Sequence, residues 1–125
     1  LTEVDAMIGK IVITYESFHD RLKCLRSTTA DMTIQSKYVP FGVFAVIGPF
    51  NFPGHLPNGH IIPLLLAGNS VVFKPSHLTP KTGKLIVEFL HIAGVPHDVV
   101  ILCEGKGQHI TEAEGLDGVF FAGST

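Results

Sequence analysis

The feature that most constrains this chain is the stretch Val43-Phe44-Ala45-Val46-Ile47-Gly48-Pro49-Phe50-Asn51-Phe52-Pro53. Its first half is an unbroken apolar run rich in β-branched residues, the pattern of a strand buried on both faces of a parallel sheet. Gly48 and Pro49 are expected to end the ladder, glycine by relaxing the backbone and proline by lacking an N–H. An asparagine between two aromatic residues follows, locked by Pro53. In α/β proteins, ligands gather where buried strands end. A neutral amide there can donate a hydrogen bond to a developing oxyanion without adding charge. It can equally cap a turn or the next helix, and spacing alone leaves both readings open.

The rest of the chain alternates strand and helix around this stretch. Val4, Ile8, Ile11, Val12, Tyr15, Phe18 and Leu22 recur at helical spacing, opposite Glu3, Lys10, Glu16, Asp20 and Lys23. They predict an amphipathic helix of about six turns. Cys24 near its end is expected in the core. Arg26 to Asp31 reads as a polar connector, and Thr33 to Val39 as a possible strand. Past Asn51, Pro57 suits a first helical position, and the run to Ala67 is apolar on nearly all sides, as for a helix buried between layers. Pro63 should bend or restrict it, and Gly68 should stop it in a left-handed cap. Val71-Val72-Phe73 reads as a second buried strand, and Thr79-Pro80 as the start of a further helix with an apolar face of Leu85, Ile86, Phe89, Leu90 and Ala93, ended by Gly94 and Pro96. Val99 to Cys103 reads as a third strand and Leu116 to Ala122 as a fourth, with a short helix between them. This order predicts an α/β fold, a parallel Rossmann-like sheet with helices on both faces.

Three motifs in order carry a resemblance: Gly48-Pro49-Phe50-Asn51-Phe52-Pro53, Leu65-Leu66-Ala67-Gly68-Asn69 and Val72-Phe73-Lys74-Pro75-Ser76. The chain resembles the cofactor domain of the aldehyde dehydrogenase superfamily, weakly before Tyr38 and strongly from Val39 to Ser76. The extension Pro53-Gly54-His55-Leu56-Pro57-Asn58-Gly59-His60 resembles one branch, which oxidises succinylglutamate semialdehyde in arginine catabolism. The resemblance implies residues 1–38 as an N-terminal helix and connector, and 39–125 as an incomplete NAD(P)-binding domain. It implies Asn51 as the oxyanion donor and NAD, with NADP possible, as the cofactor. Ile47, Pro49 and Phe50, then Lys74, Ser76 and His77, then Gly107, Gly123 and Ser124 are implied as cofactor contacts. Lys74 would reach the adenosine ribose; alone, a lysine at a strand end is simply solvated. NAD-using members commonly carry glutamate where His77 stands. Ala122 replaces a threonine of the family's signature, and Gly107 to Glu114 is a few residues shorter than in the branch. The resemblance also implies an aldehyde substrate, a homo-oligomeric parent, and a nucleophilic cysteine and a glutamate that these residues do not include. From the residues alone, a non-redox nucleotide-binding or structural α/β module stays open.

Composition narrows the partners. Apolar residues make up 46% and charged ones 16%, which excludes disorder and suits a piece of a larger protein. The start at Leu1 and the end within a motif carry the same expectation. The longest apolar run is broken by Pro63, so no membrane span is expected. A net charge of −2 without a basic stripe gives no footprint for nucleic acid. Cys24 and Cys103, far apart in apolar patterns, read as reduced core thiols of a cytoplasmic protein. The histidines match no common zinc spacing; His55 and His60 bracket Pro57, and no metal is expected.

Overall fold

Val43–Ile47 forms the strand that the apolar run predicts, and the other elements are arranged about it. The computed structural model describes residues 3–123. In chain order the elements are α1 (Glu3–Arg21), β1 (Leu25–Thr28), β2 (Thr33–Ser36), β3 (Val43–Ile47), α2 (His55–Leu66), β4 (Ser70–Lys74), α3 (Pro80–Ile92), β5 (Val100–Leu102), α4 (Gly107–Thr111) and β6 (Gly118–Phe121). β5, β4, β3 and β6 lie in that order in a four-stranded parallel sheet.

Strand parity divides the core. Val46, Val71, Phe73 and Val100 point to one face, where α2 brings Ile61 and Leu64 and α3 brings Ile86 and Val87. Ala45 and Ile47 point to the other face and meet Ile110 of α4. β3 to β4 and β4 to β5 each step one strand outward through a helix on the first face. The chain then returns through α4, on the second face, to place β6 beside β3. Right-handed crossovers in opposite directions require helices on opposite faces. The strand order therefore reverses between β3 and β6, and a crevice opens there at the carboxyl ends of the strands.

α2 lies between the sheet and α1, as its all-round apolar composition predicts. Phe18 of α1 and Leu22, just past its end, are half-buried near it, while Ile8, Val12 and Tyr15 are more exposed than the predicted stripe requires. The side chains of Glu3, Val4 and Lys10 lie outside the described residues. Gly68 has φ +85° and ends α2 as expected.

Four local expectations are corrected. The connector expected from Arg26 to Asp31 begins instead as strand, with residues 25–28 paired antiparallel to 33–36 in a hairpin whose strand residues are all exposed. Cys24 is exposed, because the hairpin leaves the helix at that point, and Gln35 Nε2 lies 2.9 Å from its Sγ. Cys103 is only partly buried. Pro57 sits inside the first turn of α2 rather than opening it.

Candidate functional site

Three loops leave the carboxyl ends of β3, β4 and β6 and surround a cleft of about 670 Å³. The first continues the ladder by one residue, since Gly48 N donates to Lys74 O at 2.9 Å. Gly48 has no positive φ, so the expectation that it relaxes the backbone gives way to a different reason. A Cβ there would lie 2.6 Å from Pro57 Cγ and 3.3 Å from Phe73 Cε2. Glycine is required by close approach, and Pro49, also buried, then turns the chain outward. Phe50, Asn51 and Phe52 are exposed, Phe50 and Asn51 at the cleft wall.

The second loop begins at Lys74, which is 6% exposed. Its ammonium donates to Pro75 O at 3.0 Å and keeps two further N–H bonds for a ligand. Pro75 rests against Gly83 of α3, where any Cβ would collide with the proline ring. Ser76 Oγ accepts from Leu78 N at 3.3 Å, and Ser76 O from Thr79 N at 3.1 Å. His77 projects from this turn and is exposed. Thr79 and Pro80 start α3 as expected, but the Thr79 hydroxyl makes no cap bond and has no partner among the described residues.

The third loop follows β6, where Ala122 N donates to Ile47 O at 3.0 Å and Gly123 closes the wall. Gly107, at the start of α4, comes over the stem of Lys74. The cleft thus gathers Asn51, Ile47, Pro49, Phe50, Lys74, Ser76, His77, Gly107 and Gly123; Ser124 lies outside the described residues. A second hollow of about 630 Å³ shares Lys74, Ser76, His77 and Gly107 with the cleft and adds Cys103 and Lys106.

Sequence reasoning missed Leu56, Leu78 and Phe121, which supply apolar wall. It also missed two polar side chains at the opposite, amino-terminal end of β3. Asn69 Oδ1 accepts from Phe41 N at 2.6 Å and Gly42 N at 3.0 Å, fixing the start of β3. Asp117 Oδ2 accepts from Val43 N at 2.8 Å, joining β6 to β3. Among the described residues no group of three or more His, Cys, Asp or Glu could hold a metal, and no helix is long and apolar enough to cross a membrane.

The model of the aldehyde dehydrogenase family matches residues 1–125. The chain belongs to the aldehyde dehydrogenase family. It is 48% identical to N-succinylglutamate 5-semialdehyde dehydrogenase of Salmonella paratyphi B, over 98% of this chain and 26% of that protein. Identity to the protein of the same name from Escherichia fergusonii is 49%, with the same coverage. The chain therefore spans about a quarter of the length of the curated relatives it matches. Among solved structures, NADP-dependent glyceraldehyde-3-phosphate dehydrogenase from Bacillus halodurans, complexed with NADP, superposes with a TM-score of 0.83 at 30% identity, over 95% of this chain and 27% of that one. Succinic semialdehyde dehydrogenase from Streptococcus pyogenes, in complex with NADP+, shares the fold with a TM-score of 0.81 at 18% identity, over 94% of this chain and 26% of that one.

Proposed function

We propose that this chain is the nicotinamide-nucleotide-binding part of an aldehyde dehydrogenase that oxidises N-succinylglutamate 5-semialdehyde to the acid. In this reading residues 39–125 carry the cofactor, and 1–38 form an arm of helix and connector. The enzyme would be a cytoplasmic homo-oligomer working in arginine catabolism, with no membrane or nucleic-acid partner. The observation that carries the reading is the single cleft shared by Asn51, Lys74, Ser76, His77, Gly107 and Gly123. The relatives at 48–49% identity supply the substrate.

The residues present fit a dinucleotide. Lys74 is a buried cation whose one hydrogen bond goes to a neutral carbonyl, so a ligand's hydroxyls or phosphates would complete its shell. The bound nicotinamide ring supplies the hydride acceptor. Asn51 donates its amide to the aldehyde oxygen as that oxygen gains charge, and adds no charge of its own. Lys74 would donate to the ribose hydroxyls of a bound dinucleotide, beside the apolar wall of Pro49 and Phe50. Neither thiol of this chain lines the cleft: Cys24 is beside the hairpin and Cys103 lines the neighbouring hollow. The nucleophilic thiolate and the glutamate that activates water come from beyond these residues.

The test is dinucleotide reduction by the full-length enzyme with N-succinylglutamate 5-semialdehyde, beside the 125-residue chain alone. The full-length enzyme is expected to turn over and the chain to be inactive, since thioester chemistry needs the missing thiolate. Activity of the chain, abolished by Cys103→Ser, would make Cys103 the nucleophile. Binding of ATP in preference to NAD, with no turnover of any aldehyde, would establish the non-redox nucleotide module.

A further inference from the structure

The turn that carries Asn51 runs directly into α2, and this helix starts without the usual support. Gly54 at its N-cap position offers no side chain, and no side-chain cap bond is made. Leu56 N donates to Phe52 O at 3.2 Å, but Pro57 has no N–H to give to Pro53 O. The next helical bond, Asn58 N to Gly54 O, is stretched to 3.4 Å. Asn58 adds a shorter bond at this point: its side-chain Nδ2 donates to the same Gly54 carbonyl at 2.9 Å. The residue is 6% exposed and flanked by buried Pro57, whose ring blocks Gly48. A buried amide in the second turn of a helix, bonded backwards to the cap carbonyl, fixes the turn to the helix body.

We propose that Asn58 is a positioning residue that holds the Asn51 turn in register with the cleft, an inference that rests on Asn51 being the oxyanion donor. An oxyanion donor acts only when it is already aimed at the site where charge develops. A misplacement of about 1 Å can cost on the order of a hundredfold in rate. Asn69 provides the control, because it too is buried at 6% exposure and donates an amide bond, to Leu64 O at 3.2 Å, yet it sits at the far end of α2.

The experiment uses the full-length enzyme with steady-state kinetics and thermal melts for Asn51→Ala, Asn58→Ala, Asn58→Ser, Asn69→Ala and the Asn51→Ala/Asn58→Ala double variant. Asn58→Ala is expected to lower kcat about 10- to 100-fold, with the dinucleotide KM held within about twofold. The double variant should match Asn51→Ala alone, since no donor remains to be misplaced. Asn58→Ser, which restores a hydroxyl donor, should recover part of the turnover and carries the test if Asn58→Ala does not fold. Asn69→Ala should melt earlier while keeping kcat. A normal kcat in a destabilised Asn58→Ala enzyme would reduce Asn58 to a structural residue and overturn the proposal. So would a double variant in which the two losses multiply. Full turnover in Asn51→Ala alone would remove the reading beneath the proposal, and that result is visible in the single variant.

Discussion

Two loops border the cleft, and they are secured in different ways. After β3, Gly48 lies against Pro57 and Phe73, Pro49 is buried, and Asn58 ties the turn to α2 from below. After β4, burial stops at Pro75, and the bonds that shape residues 76–79 run within the loop itself, from Leu78 N and Thr79 N to Ser76. The first loop presents one exposed polar group on a packed base. The second presents an exposed imidazole on a self-contained turn, with a buried lysine behind it. A group that acts on a transition state needs such a base, because its contribution depends on placement. A group that reads one end of a cofactor can be exchanged without disturbing the core.

The contrast predicts that the loops fail differently. Replacing Asn51 by alanine in the full-length enzyme should lower kcat by about two to three powers of ten, the usual cost of one oxyanion donor. Cofactor binding should barely change, which a dinucleotide titration of the variant measures. Normal turnover with lost cofactor binding would place both loops in the same role and erase the distinction.

Lys74→Met is the converse, since methionine fills the buried stem but cannot donate. Loss of a charge-assisted hydrogen bond worth about 1.5–3 kcal/mol should raise the dinucleotide KM roughly 10- to 100-fold. The same variant should keep kcat at saturating cofactor to within an order of magnitude. A collapse of kcat with unchanged KM would show Lys74 acting on the reaction rather than on the cofactor.

Stability offers a third separation. Gly48→Ala forces a methyl group to within 2.6 Å of a proline ring that has little room to yield. Overpacking of this kind typically costs about 1–3 kcal/mol, readable as a lowered denaturant midpoint. His77→Glu, on the exposed turn, should stay within about 0.5 kcal/mol of the parent. Equal losses at the two positions would mean that the loops are equally built into the core.

The same contrast explains what the sequence disclosed. β3 and β4 were readable because strands buried in a parallel sheet are apolar without interruption, and Gly48 to Pro53 because proline and glycine punctuate it. The residues brought to the cleft wall come from strand ends, which the order of elements already located. The β1–β2 hairpin was not readable. Leu25-Arg26-Ser27-Thr28 has no apolar alternation, every residue is exposed, and its pairing depends on a turn where Thr29 N and Oγ1 both donate to Met32 O. The clamps escaped for another reason. In sequence Asn58 falls within a predicted helix, Asn69 just after its end and Asp117 within a predicted strand, and Asp117 meets Val43 from 74 positions away. A polar side chain does not announce a distant backbone partner. Even at Gly48 the residue type was read correctly but its cause was not, because a close approach involves an atom from another element.

The smallest expected effect lies at His77, where the exposed turn lets the side chain change freely. A carboxylate here would accept hydrogen bonds from the ribose hydroxyls and repel the extra phosphate of NADP. Imidazole removes that repulsion. Lys74 stands behind it, and the hollow that both residues share adds Lys106 on its wall, against Glu104 on the same wall. With Lys74 and Lys106 against Glu104, the lining carries one net positive charge before His77 contributes, so a 2′-phosphate meets attraction rather than rejection. The full-length enzyme should therefore use NADP better than His77→Glu does, by up to about fivefold in the NADP-to-NAD ratio of kcat/KM, the size of a charge contact of about 1 kcal/mol at an exposed site. The measurement is kcat/KM for both cofactors in the two enzymes. An unchanged ratio in His77→Glu would mean that the side chain points to solvent and that cofactor choice is made by buried Lys74 alone.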